Sequence, residues 1–270
     1  MLLPDARSAF DLNLEEAHRL AGVREEKWSK ETAAQSRERI RRTLGVPAVE
    51  EIAAASKSES EQSTDVLLTT TSEVPLSGRW INPTGRPKGT TLYLHAAGSN
   101  KAIDDADLKT LVNAGQAVLA IDVSGIGTTN PQGRRWYSDV FGANAGNSAI
   151  AYLCGTSMVA QRTEEILASA KYAAAVDGNT STPISLVATD EICVPALHAA
   201  FPAPELISEV KLIRPLISWT EVIRGKLTQN QVVNAVHGVL REYDLPELVT
   251  SLGGRVTIVD PQDGQGKSVN

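Results

Sequence analysis

The sequence predicts an α/β protein, a doubly wound, mainly parallel sheet preceded by an N-terminal helical extension. Three observations carry this. Apolar runs at 90–94, 117–121 and 184–187 are nearly continuous rather than alternating, as strands buried on both faces are. Helical stretches separate them, and such crossovers impose parallel, right-handed connections. Residues 11–56 read as helical instead.

In chain order, Asn13 followed by Glu16 reads as a capping-box start, with Leu14, Ala17 and Ala21 on one face. A second helix is expected from about 29 to 44, closing at Gly45-Val46-Pro47. Its Arg37, Arg39, Arg41 and Arg42 read as a solvated face paired with nearby glutamates. Residues 56–64 are polar and read as a linker, which divides the chain into a helical appendage, 1–56, and a domain at 57–270. Runs at 66–71 and 74–81 suit a hairpin or two edge strands, ended by the turn Asn82-Pro83-Thr84-Gly85. Strands at 90–94 and 117–121 are joined by a helix at 104–113. A long helical region spans 145–176, broken near Gly155. Then come a strand at 184–187, a helix at 195–200 and a strand at 210–213. Helices near 219–226, 229–237 and 245–252 lead to a last strand at 255–259.

Bulk properties exclude several classes. A net charge of −6 gives no reason to expect nucleic acid or an anionic membrane as partner. No apolar stretch approaches the ~20 residues of a membrane span. The opening Met1-Leu2-Leu3-Pro4-Asp5-Ala6-Arg7 lacks a basic segment before an apolar one, so no signal peptide is expected. Export enters only if the chain belongs to a longer precursor. Cys154 and Cys193 sit in apolar stretches and are expected as two buried thiols, with no metal or disulfide spacing.

Open α/β sheets place function at the carboxyl ends of their strands. Four such ends are legible. Leu94-His95-Ala96-Ala97-Gly98 could aim backbone N–H groups at an oxyanion or be a plain compact turn; His95 reads as structural. Ser124-Gly125-Ile126-Gly127 lacks the full dinucleotide fingerprint, so no cofactor is expected. The third end is Ala188-Thr189-Asp190-Glu191-Ile192, and the fourth is the acidic turn Asp260-Pro261-Gln262-Asp263-Gly264.

The series Leu92-Tyr93-Leu94-His95, then Asp122-Val123-Ser124-Gly125-Ile126-Gly127, then residues 161–167 and 243–248, resembles α/β-hydrolases of the acetylxylan esterase and dienelactone hydrolase group. The resemblance spans roughly 65–265. It implies a Gly-x-Ser-x-Gly nucleophile elbow where Asp190 stands at the tip. It implies an arginine where Ser124 stands, a triad acid best matched by Asp263, and a triad histidine later still. No histidine follows Asp263; His237 precedes it, in the wrong segment.

Loss of the nucleophile or of its base removes several powers of ten in rate. The leading expectation is therefore a catalytically degenerate hydrolase-like domain, a binding or structural module whose partner is an acylated carbohydrate or a companion hydrolase domain. Asp190 is then expected as a solvated residue or a helix cap. The rival is an active carboxylic-ester hydrolase, a polysaccharide deacetylase with a rearranged or partner-completed site. Its pocket would hold Asp190, His95 and Asp263, with Ala96, Ala97 and Gly98 supplying the oxyanion hole.

Overall fold

The computed structural model describes residues 6–46, 54–59, 63–70, 73–131, 138–176 and 183–269. Five strands form the parallel part of the sheet: β4 (Gly89–Leu94), β5 (Gln116–Ile121), β6 (Ile184–Thr189), β7 (Ile207–Ile213) and β8 (Val256–Val259). Three earlier strands, β1 (Ala54–Glu59), β2 (Thr64–Thr69) and β3 (Pro75–Ile81), add an antiparallel wing that joins β5. The order across the sheet is β1-β2-β3-β5-β4-β6-β7-β8. The strand pattern at 66–71 and 74–81 thus becomes a paired hairpin, while Thr71 lies outside the described residues.

Continuous apolar strands are what a sheet covered on both faces needs. Along β4, Leu92 and Leu94 join the larger core with Leu119, Ile121, Leu186 and Leu212. Tyr93 points the other way, into a smaller core with Val118, Ala120, Val187 and Ile213.

Ten helices are described: α1 (Ala9–Lys30), α2 (Ala33–Leu44), α3 (Ser99–Ala102), α4 (Ala106–Asn113), α5 (Ser138–Phe141), α6 (Ala145–Leu153), α7 (Met158–Val176), α8 (Cys193–Ala200), α9 (Trp219–Arg224) and α10 (Leu245–Leu252). The break near Gly155 falls between α6 and α7. α10 begins at Asp244, in a capping box with Glu247, and buries Leu245, Leu248 and Leu252.

The N-terminal helices are docked by buried cations. Arg24 donates to Glu247 Oε1 at 3.0 Å and to the Leu240 carbonyl at 2.7 Å. Arg39 pairs with Glu31 at 2.6 Å, donates to the Glu242 carbonyl, and lies 5.0 Å over the Trp28 ring.

Several expectations are corrected. α1 starts at Ser8, whose capping box with Asp11 lies upstream of Asn13, and it runs on to Lys30; α2 begins only after Thr32. Arg39 is buried rather than solvated, because its partners come from two directions. The polar stretch at 56–64 is in part the edge strand β1, held by backbone pairing to β2. The helix expected at 229–237 is a series of turns with one 3-10 segment, Val232–Asn234; Asn230, at φ 55°, breaks any α-helix there. Cys193 is buried but Cys154 is exposed, and both are free thiols.

His198 on α8 is fully buried. Its Nδ1–H donates to the Val194 carbonyl at 2.7 Å, so Nε2 accepts from the Tyr243 hydroxyl at 3.0 Å. Burial pulls its pKa down to about 4 from the usual 6.5. The unfolded chain thus binds this proton more readily, and the stabilisation is lost as pH falls from 6.5 towards 4. Two and a half pH units correspond to about 3 kcal/mol. Denaturant titrations across that window should show the fall, and His198→Gln should flatten it; an unchanged pH slope in the variant would assign the acid sensitivity elsewhere.

Candidate functional site

The chain passes from β4 to β5 on one side and then crosses to β6 on the other. Such a reversal opens a crevice at the carboxyl ends of the neighbouring strands. The β4–β6 register sets Leu94 beside Ala188, so the loop starting at His95 lies next to the turn at Asp190. A cavity of about 540 Å³ occupies this place, and its lining includes His95, Ala96, Ala97, Asp190, Arg214 and Asp263.

Asp190 sits at the tip of a tight strand-to-helix turn with φ 51°. A non-glycine residue in this region is strained, and the surrounding structure must enforce it. Ile192 and Cys193 do so from below, both buried. The bulky Ile192 of the turn is accommodated in the core under the elbow.

The Asp190 carboxylate is committed to Arg214. Nε donates to Oδ1 at 2.7 Å and Nη2 to Oδ2 at 2.8 Å, a bidentate pair. Arg214 follows β7 directly and has φ 55° itself. The carboxylate beside it holds the guanidinium more firmly charged than usual. Both side chains are over a third exposed, so the pair fixes geometry more than it adds stability. The expected helix-capping role for Asp190 is corrected accordingly: neither the 3-10 turn nor α8 has a side-chain cap.

His95 turns away from Asp190. Its Nδ1 accepts from the Ala97 N–H at 3.0 Å, while Nε2 lies 3.4 Å from Asp105. The neighbouring N–H groups are used too: Ala96 donates to Thr189 Oγ1 at 2.9 Å and Gly98 to the His95 carbonyl at 2.8 Å. Asp263 Oδ1 accepts from the N–H groups of Gln265 and Lys267, closing its own turn. The remaining histidines stand elsewhere, His18 and His237 exposed and His198 in the core. The structure therefore gathers the expected residues at one cavity without a hydrogen bond linking His95, Asp190 and Asp263 among the described residues.

A buried polar layer supports the cavity floor. Glu191, next to the tip, accepts from Arg162 Nη2 at 2.9 Å and from Asn230 Nδ2 at 2.9 Å. Arg162 also donates to the Ser124 carbonyl at 2.9 Å. Ser124 in turn donates its N–H to Glu165 at 2.7 Å and its hydroxyl to the same carboxylate. Burial raises the Glu165 pKa, and the Ser124 hydrogen bonds only partly oppose it.

Asp122 plays the matching part under the other loops: Ser99 N–H reaches Oδ1 at 2.5 Å and Thr128 N–H reaches Oδ2 at 3.0 Å. Gly127, at φ 55°, leaves room for this clamp, since a Cβ there would lie 2.0 Å from Oδ2.

Sequence reasoning missed Arg214, Glu191, Arg162 and the amides Asn144, Asn230 and Asn234. A lone arginine ending an apolar strand, Ile213-Arg214-Pro215, was the available signal. Among the described residues no cluster of His, Cys, Asp or Glu could hold a metal ion, and no helix is long and apolar enough to cross a membrane.

The Asp122 clamp generates a direct expectation. Gly127→Ala should cost at least about 2 kcal/mol in chemical denaturation, combining a forced φ with a carboxylate clash. A loss under 0.5 kcal/mol, on the order of a surface change, would mean that the loop is not held this way.

No protein-family model matches the chain, and no curated protein matches it in sequence. Solved structures do match. A Bacteroides fragilis protein assigned as an acetyl xylan esterase superposes with TM-score 0.70 at 11% identity, covering 97% of this chain and 77% of that one. Acetyl xylan esterase 1 from a Thermoanaerobacterium species gives 0.52 at 16% identity, covering 84% and 76%. The acetyl xylan esterase from Paenibacillus sp. R4 gives 0.51 at 14%, covering 99% and 83%. At such identities the likeness speaks for the fold. The eight-stranded, mostly parallel sheet and these neighbours agree: the chain has a doubly wound α/β fold like that of the α/β-hydrolase structures it superposes on.

Proposed function

We propose that this chain is a catalytically degenerate member of the α/β-hydrolase fold, a binding module that keeps the crevice and has lost the acyl-transfer chemistry. The observation that carries the reading is the bidentate Arg214–Asp190 pair at the elbow tip. A nucleophile must be free to attack and needs a base within hydrogen-bond reach. Asp190 is held by a guanidinium, and the one histidine of the cavity is engaged by Asp105 and Ala97. The N–H groups of Ala96, Ala97 and Gly98, the expected oxyanion hole, already have acceptors.

The cavity itself favours a hydroxyl-rich ligand. Asn144, Asn230, Gln231, Asn234 and Gln262 contribute to its walls, and amides both donate and accept hydrogen bonds. An acylated carbohydrate, the substrate type in the names of the structural neighbours, suits such a lining. A companion hydrolase domain is the other partner that this reading admits.

The rival is an active carboxylic-ester hydrolase working through Asp190, and it draws on the strained φ of that residue. Hydrolysis of p-nitrophenyl acetate separates the two. Wild type, Asp190→Ala and Asp190→Ser should all match the buffer rate, because restoring the serine supplies no base. Turnover well above buffer that disappears in Asp190→Ala would establish the rival.

A further inference from the structure

We propose that the cavity takes an uncharged amphiphile, its hydroxyl-rich head among the amides and its alkyl or aryl tail on an apolar lip beside the mouth. This rests on the binding-module reading and adds a ligand class to it. The lip is built by α5 and by the loop that carries Leu227. Val140 and Phe141 end α5 with exposures of 51% and 45%, and Leu227 is 81% exposed. Scattered apolar side chains on a surface are ordinary, whereas several flanking one cavity mark a binding surface.

The lip is fixed to the cavity wall. The Val140 carbonyl accepts from the N–H of Asn230, a lining residue, at 2.9 Å. Gly142 has φ 87° and presses so closely on Asn230 that a Cβ would meet its Oδ1 at 1.7 Å. Leu227 precedes Asn230 by three residues, on the segment that bonds α5. One residue past Gly142, Ala143 lines the cavity, and Asn144 beside it, also in the lining, stands just before α6. On α6, Ile150 and Leu153 are exposed as well, one turn apart at 62% and 83%. A tail leaving the mouth therefore meets the exposed apolar side chains of α5 and Leu227 beside it.

Charge selects the head. Asp190 is neutralised by Arg214 and Glu191 by Arg162. Asp263 stands at the wall with its Oδ1 taken up by the N–H groups of its own turn, and the chain carries −6 overall. The head therefore meets amides and ion pairs that are already balanced, and an uncharged polyol fits that lining.

The probes are methyl, hexyl and octyl β-D-glucosides below their micelle concentrations, with binding followed by NMR titration of the whole chain. Affinity for wild type should rise about twofold per methylene, as half-burial of each group gives. The double variant Phe141→Ser/Leu227→Ser should bind the methyl compound as wild type does and lose the gain with tail length. Circular dichroism melting checks that it is folded, and Val140→Ser serves as a milder variant expected to lose part of the gain. If the methyl compound binds and longer tails add nothing, this inference alone falls. If none of the glucosides binds, it falls together with the pocket reading. A gain that survives in the variants, or a dimer that they dissolve while the tail effect stays, also overturns it, the latter marking the face as a contact between copies.

Discussion

The fork of hydrogen bonds between Arg214 and Asp190 holds the strand ends at the crevice together. Two adjacent parallel strands, β6 and β7, each end in a residue with positive φ, and these two residues hold each other. Each strained backbone is thereby stabilised by a partner one strand away. The side chain presented at this turn anchors an ion pair.

Beneath it, the polar layer is stacked in depth. Asp190 meets Arg214 at the surface, Glu191 meets Arg162 one residue on, and Glu165 holds Ser124 deeper still. Ser124 stands where the resemblance implies an arginine, and Arg162 from α7 brings a guanidinium to the Ser124 carbonyl. A buried cation next to the elbow is thus supplied from a different helix. Such a layer tolerates little change, because removing one member leaves a buried charge uncompensated.

Much of the fold was legible because burial on both faces writes itself as unbroken apolar strands; β4, β5 and β6 fall within a residue or two of their expected bounds. α10 matches the helix expected at 245–252, and Asp244, Pro246 and Glu247 supply its start signal. The linker reading failed at β1 since an exposed edge strand of serines and Lys57 has no alternation to read. Cys154 misled because Tyr152 and Leu153 beside it are apolar and yet exposed. At the site, strand ends located Asp190, His95 and Asp263 at one cavity, but pairing is a long-range property. Nothing local to Asp190 announces Arg214, 24 residues on, and the amide-rich wall at 229–234 carried an apolar spacing that mimics a helix.

The docking of the N-terminal helices has a temporal side. Arg24 finds its carboxylate 223 residues later, at Glu247. During synthesis at about 5–20 residues per second, that partner emerges roughly 10 to 45 s after the arginine does. Throughout this interval Arg24 has no Glu247 to bind, so docking of α1 through this pair waits until α10 has been made. A layer made early is thus completed late, by a contact across most of the domain.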